Sequence, residues 1–145
     1  ENKDYFLFLR ALREDFGLEN HFRFLYEENP NSKEPYILDM KAVADLFRVC
    51  DLVFMPSHHE GFGMPILEGA FLGKPIFSTR IPASEEIGGD EIFRISLAEG
   101  SLNTAQQMLD WAARDPIHQL RVRTRQNHTW QKIFDHQIQP LLNGN

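Results

Sequence analysis

The sequence has one cysteine, Cys50, so no disulfide can form within the chain and a disulfide-stapled secreted scaffold is excluded. No apolar run is long enough to span a bilayer, and residues 1–20 lack the h-region and cleavage site of a secretory signal. Positive charge is in the minority: 15 Lys and Arg stand against 21 Asp and Glu, a net charge of −6. A broad phosphate-binding face for nucleic acid is therefore excluded. A small phosphorylated ligand is not, because a local site needs only a few well-placed donors. Internal repeats and low-complexity segments are missing as well. A lone thiol fits a reducing compartment, so a cytoplasmic location is expected, either free or at the membrane surface as part of a longer parent protein. Apolar neighbours Val49 and Leu52–Phe54 mark Cys50 as a buried structural residue.

What remains is ordinary globular composition, 42% apolar and 25% charged over 145 residues, enough for one core. Tyr5, Phe6, Leu9, Leu12 and Phe16 recur at helical spacing and Gly17 supplies a stop. His21–Glu27 alternates Phe22, Phe24 and Tyr26 and predicts a short strand, followed by a loop over Asn29–Pro35. Asp39 caps a helix with Met40, Val43, Ala44 and Phe47 on one face. Leu52–Met55 is a short, wholly apolar run ended by Pro56, the pattern of a strand buried on both faces of a parallel sheet. A helix is predicted from Pro65 to Leu72, then strands at Pro75–Thr79 and Ile92–Ile95, with Arg80–Ser84 read as loop.

Alternating strands and helices make the fold α/β with a parallel sheet, which the resemblance described below makes Rossmann-like, followed by C-terminal helices. Ser101 caps a helix with a stripe of Leu102, Ala105, Leu109 and Ala112. Asp115-Pro116 opens another, and Trp130, Ile133, Phe134, Ile138 and Leu141 line a last one. Arg121, Arg123 and Arg125 read as a solvated helix face.

The chemistry is concentrated in Pro56–Gly73, a buried strand, a turn holding Gly61 and Gly63, and a helix opening at Pro65. In open α/β sheets ligands bind at the carboxyl ends of strands, where such turns lie. Glycines let the backbone approach a ligand, and N–H groups at a helix start attract phosphate. Pro65 has no N–H, so Phe62, Gly63 and Met64 are the expected donors. Glu60 and Glu68 frame the turn and fall outside the apolar stripe Ile66, Leu67, Ala70 and Phe71. Such a carboxylate pair suits the vicinal hydroxyls of a ribose and a sugar. It also suits a plain helix N-terminus with a favourable acidic first turn, or a glycosidase pair, although a phosphate-suited turn has no task in hydrolysis. His58 and His59 have no third ligand at metal spacing and read as loop polarity, one of them with an acceptor-side role as the lesser reading.

Asp51, Pro56, Ser57, Glu60, Gly61, Phe62, Gly63, Pro65 and Glu68 together resemble the signature of glycosyltransferase family 4, with seven residues between its two glutamates. The similarity continues through Gly69, Gly73, Lys74 and Pro75 to Glu86-Ile87, extends upstream over Leu18–Phe24, and includes Trp130. The resemblance implies a GT-B fold and retaining transfer of a hexose from a UDP- or GDP-sugar to a sugar or lipid acceptor, with no metal and no cofactor. It gives Glu68 the ribose hydroxyls, Glu60 the transferred sugar, and Gly61, Phe62, Gly63 and Met64 the sugar and distal phosphate. Glu60 is then the candidate catalytic residue, acting by contact with the sugar and not as a covalent nucleophile.

The family's diphosphate-clamping Arg and Lys come from an earlier strand-loop-helix unit that nothing before Tyr5 can supply, its N-terminal acceptor domain is absent too, and Arg80–Ser84 stands where relatives often have small glycines. Residues 1–145 are thus expected to be a partial C-terminal domain, inactive as an isolated fragment. A non-catalytic nucleotide-sugar-binding or assembly module is the alternative. Two central strands would also be missing. Strands 21–27 and 52–55 are then expected either to pair directly in a four-stranded sheet or to be closed by a second copy in a homo-oligomer.

Overall fold

The computed structural model describes residues 3–28 and 38–143, which excludes the predicted Asn29–Pro35 loop. The chain divides into two compact units, Glu1–Val43 and Ala44–Asn145.

In the first unit, α1 (Lys3–Asp15) half-buries Phe6, Leu9 and Leu12 at helical spacing, and Gly17 ends it at φ +63°. The predicted strand at 21–27 does not form. The segment turns at 19–21, runs extended to Phe24, and closes in a 3₁₀ turn, Leu25–Glu27. Its alternating aromatics serve another purpose: Phe24 meets Phe6 edge-on at 5.3 Å and Phe22 at 5.0 Å, while the Arg13 guanidinium sits 4.9 Å from the Phe24 ring and pairs with Glu27. Period-two aromatics describe a pleated surface only if a neighbouring strand is there to pair with. α2 (Met40–Val49) follows, with Asp39 accepting the Ala42 amide at 2.7 Å as its cap.

The second unit is built on three parallel strands in the order β1 (Val53–Met55), β2 (Ile76–Thr79), β3 (Phe93–Ile95). Pairing runs Val53 to Ile76 and Met55 to Ser78, then Phe77 to Phe93 and Thr79 to Ile95. Among the described residues β1 is paired on one side only, so neither a four-stranded sheet nor direct pairing with 21–27 is present. α3 (Met64–Phe71) and α4 (Pro82–Gly88) connect the strands as two βαβ units. The predicted loop Arg80–Ser84 runs into α4, whose start is marked by Pro82 at the first helical position.

Side chains alternate along each strand, which divides the core. Met55, Ile66, Ile76 and Ile81 form one cluster, with Val53, Ile87 and Ile92 against it. On the opposite face Phe77, wholly buried, stacks on Phe93 at 4.5 Å and meets Trp111 of α5 (Ser101–Arg114) edge-on at 6.0 Å. Full burial of Phe77 or Ile66 stabilises the fold by about 1.5–3 kcal/mol each.

Two predicted helix faces were rotated. α3 buries Ile66 and Gly69 and leaves Phe71 87% exposed, because contact requires the residue without a side chain: a Cβ on Gly69 would stand 2.9 Å from Val53 Cγ2. α5 buries Thr104 and turns Leu102 and Leu109 outward, with Gly100 at the cap position expected for Ser101.

Cys50 is half-buried, its thiol directed to the Phe47 carbonyl at 3.3 Å. Near it the chain gathers three cations. Lys74 Nζ donates to the Arg48 and Cys50 carbonyls at 2.8 Å, and Arg121 and Arg125 of α6 (Pro116–Asn127) pair with Asp51 at 3.2 Å. Cations at a helix C-terminus satisfy its free carbonyls and oppose its dipole. Arg121, half-buried, is therefore a fastening of the C-terminal helices, while Arg123 and Arg125 are exposed as the solvated face expected for them, Arg125 also pairing with Asp51. The last helix, α7 (Trp130–Ile133) into α8 (Gln139–Leu142), carries a π turn over Phe134–Ile138 just before Pro140. Proline cannot donate to the preceding turn, and the wider turn absorbs the lost bond.

Ser84 joins the rim of the sheet to α4. Its buried hydroxyl accepts from the Ile81 amide at 3.1 Å and from Arg94 at 2.8 Å, and reaches the Thr79 carbonyl at 2.8 Å. This is one half of a capping box; Ile81, with an apolar side chain, cannot supply the other. Ser84→Ala is expected to lower stability by about 1–3 kcal/mol, the cost of leaving buried donors unpaired, as measured by urea denaturation. An unchanged midpoint would remove Ser84 from this role.

Candidate functional site

The site is built where β1 ends. Met55 is buried at the carboxyl end of the strand, and Pro56 stops the ladder because it has no N–H to donate. The Ser57 carbonyl accepts a hydrogen bond from the Thr79 hydroxyl, so the loop after β1 is tied to the end of β2. Beyond that tie the chain turns outward. Glu60 is exposed, its carboxylate accepting among the described residues only the neighbouring Gly61 amide, at 3.1 Å.

Gly63 brings the chain back. It is buried, stands at the N-cap of α3 with φ +75°, and approaches α4 closely. A Cβ there would lie 3.2 Å from both Ala83 Cβ and Ile87 Cδ1. The Gly63 carbonyl takes the Ile66 amide at 2.9 Å and the Leu67 amide at 3.4 Å, and Pro65 has no N–H. Free amides at this helix start therefore lie ahead of these residues, in the Phe62–Met64 stretch, the Gly61 amide being taken by Glu60. Phe62 and Met64 are 66% and 49% exposed, so this stretch is open to a ligand. Glu68, half-buried, follows in the second turn of α3. All the predicted residues thus belong to one loop-and-helix unit: an outward carboxylate, a glycine-capped helix start, and a second carboxylate along the helix.

An open cavity of about 490 Å³ adjoins this unit, lined from the same loop by Ser57 and His58 and otherwise by the carboxyl ends of β2 and β3, the residues that follow them, and Gln107 of α5. None of Glu60, Gly61, Phe62, Gly63, Met64 or Glu68 lines it. The rest of its wall, Arg80, Arg94, Ser96 and Gln107 among them, belongs to no motif. The one signal that pointed there was position after a strand end. Among the described residues no group of three His, Cys, Asp or Glu could hold a metal ion, and no helix is long and apolar enough to cross a membrane.

Parallel strands crossed by helices, with a glycine turn and paired carboxylates at their carboxyl ends, define a Rossmann-like domain of the kind found as the C-terminal half of GT-B glycosyltransferases. Residues 2–129 match the model of the glycosyl transferases group 1 family, and the chain belongs to that family. It is 29% identical over 104 residues to a D-inositol 3-phosphate glycosyltransferase of Corynebacterium jeikeium, covering 72% of this chain and 21% of the relative. A D-inositol 3-phosphate glycosyltransferase of Corynebacterium urealyticum is 32% identical over 73 residues, 50% of this chain and 15% of that protein. An uncharacterized glycosyltransferase of Methanocaldococcus jannaschii is 42% identical over 45 residues, 31% of this chain and 13% of its own length. The matched region is thus about a fifth or less of each relative's length. No solved structure matches the chain significantly.

Gly63→Ala is expected to destabilise the domain by about 1–3 kcal/mol, the range for a non-glycine residue forced to positive φ. It should also disorder the loop it anchors. Thermal melting together with amide exchange at Gly61 and Phe62 tests this, and wild-type protection in the variant would contradict it.

Proposed function

We propose that the chain is the donor-binding part of a longer, retaining glycosyltransferase of family 4 type. It would move a hexose from a UDP- or GDP-sugar to a sugar or lipid acceptor. One observation carries this reading: exposed Glu60 and half-buried Glu68 flank a helix start capped by Gly63 at the carboxyl end of a parallel strand. Amides at Gly61–Met64 face the sugar and distal phosphate. Glu68 accepts from the ribose hydroxyls, and Glu60, whose carboxylate has only a local amide partner, accepts from the transferred sugar.

In the transfer the acceptor oxygen bonds to the anomeric carbon from the face that the diphosphate leaves. The carbon–oxygen bond to the diphosphate breaks, and the acceptor proton passes to the departing phosphate oxygen. The protein's part is to stabilise charge developing on the leaving group with donors already in place. Two relatives named for D-inositol 3-phosphate support a polyhydroxyl acceptor. The rest of the diphosphate clamp and the acceptor-side domain come from the remainder of the parent protein. Holding donor and acceptor together across a cleft is what catalysis of this kind requires.

Glu68→Gln in the parent transferase is expected to weaken UDP or GDP binding by about 1–3 kcal/mol, the range for hydrogen bonds to a charged acceptor. Glu60→Ala should leave nucleotide affinity intact and reduce turnover. Isothermal titration and initial rates separate the two roles, and equal loss of plain nucleotide binding in both variants would contradict the division.

A further inference from the structure

The backbone ladder between β1 and β2 ends just before the loop that carries Glu60. Its last pair is Met55 with Ser78, so the next step would set Pro56 opposite Thr79. Pro56 has no N–H to give, and the backbone ladder goes no further. A side chain takes over. Thr79, buried at the carboxyl end of β2, donates its hydroxyl to the Ser57 carbonyl. Thr79 also lines the open cavity, but its one hydroxyl proton is given to Ser57 and is not offered to a ligand.

Thr79 is itself firmly held. It pairs with Ile95 of β3, and its carbonyl accepts from the Ser84 hydroxyl at 2.8 Å. Ser84 in turn accepts from Arg94 of β3 at 2.8 Å. The loop that Thr79 meets has few other restraints. Residues 58–62 are exposed, and among the described residues their one hydrogen bond is the local contact between Gly61 and Glu60. The segment is then fixed at Ser57 on one side and at Gly63, packed against α4, on the other. Glu60 stands midway, three residues from each. Glu68 is held differently, on α3, whose seat is set by Gly69 against Val53 and whose start is set by Gly63. Loss of the Ser57 tie would release one glutamate and leave the other in place.

We propose that Thr79 is a positioning residue for the donor loop: through the Ser57 carbonyl it sets where Glu60 meets the transferred sugar. The sugar role of Glu60 rests on the donor-site reading above, whereas the tie rests on the strand ends alone.

Three variants isolate the hydroxyl. Thr79→Val and Thr79→Ala remove it, and Thr79→Ser keeps it while losing the methyl. In the ¹⁵N-labelled chain, backbone order parameters at His58–Phe62 should fall in the first two and hold in the third, with Ile66–Gly69 unchanged throughout. In the parent transferase, with UDP-glucose and GDP-mannose as donors, Thr79→Val should lower kcat about tenfold or more, the scale of a misplaced contact. Affinity for UDP and GDP should stay as it was, and Thr79→Ser should recover most of the rate. Thr79→Ala against Thr79→Ser gives the same comparison should the valine variant fail to fold. A rate that follows the methyl, with the serine variant as slow as the alanine one, would overturn the proposal. So would unchanged loop order without the hydroxyl, or nucleotide affinity that falls in step with kcat. If Glu60→Ala slows turnover and Thr79→Val does not, the donor reading stands and this one ends. If the loop loosens but neither variant alters turnover, the donor reading fails and takes the role of Thr79 with it.

Discussion

The close approach of α3 to β1 governs the rest of the second unit. Gly69 lets the helix lie on Val53 and Ile76 where any Cβ would collide at 2.9 Å. With the helix held at that depth, its first residue meets α4, and Gly63 can fit against Ala83 and Ile87. The outward swing of the loop bearing Glu60 is set between the end of β1 and Gly63. A helix seated higher on the sheet would release Gly63 from α4, and the two glutamates would lose their common frame. Packing at one glycine therefore reaches the chemistry through a rigid helix, consistent with interiors packed too densely to deform smoothly.

The sheet is small, and polar fastenings at its two ends compensate. At the carboxyl end Ser84, Arg94 and Thr79 connect β2, β3, α4 and the loop after β1. At the amino end Lys74, Arg121 and Arg125 gather around Asp51 and the last carbonyls of α2. The two sets differ in strength. Ser84 is fully buried, so its bonds cannot be replaced by water, whereas partly exposed pairs such as Arg125 with Asp51 contribute about 0–1 kcal/mol each. The carboxyl end, where a ligand would bind, is the more firmly preorganised of the two. Substrate-positioning sites gain from rigidity of this kind.

Several elements were legible because their causes are local. Asp39 and Asp115 cap the helices they precede, accepting amides at 2.7 and 2.6 Å, and Gly17 ends α1 at positive φ. Three apolar runs became three parallel strands within a residue or two of the predicted limits. Other readings failed where the cause is distant. His21–Glu27 alternates like a strand, but alternation states only which side chains share a face, and here Phe24 packs on Phe6 of α1. Arg121 looked like a solvent residue because its partner Asp51 lies about seventy positions away in sequence.

The sequence by itself determined the class of the domain and the unit proposed as its donor site. Strand, glycine turn and helix with two glutamates are consecutive, and their geometry follows from backbone rules that act over a few residues. Tertiary structure alone decided which helix faces are buried, since Gly69 and Thr104 are contact residues only because of what stands opposite them. It alone assembled the cavity from Ser57, Ser96 and Gln107, which come from two separate connections and from α5. Short-range dihedral preferences can be read along a chain. The meeting of distant strand ends cannot, because it depends on which strands pair and in what register.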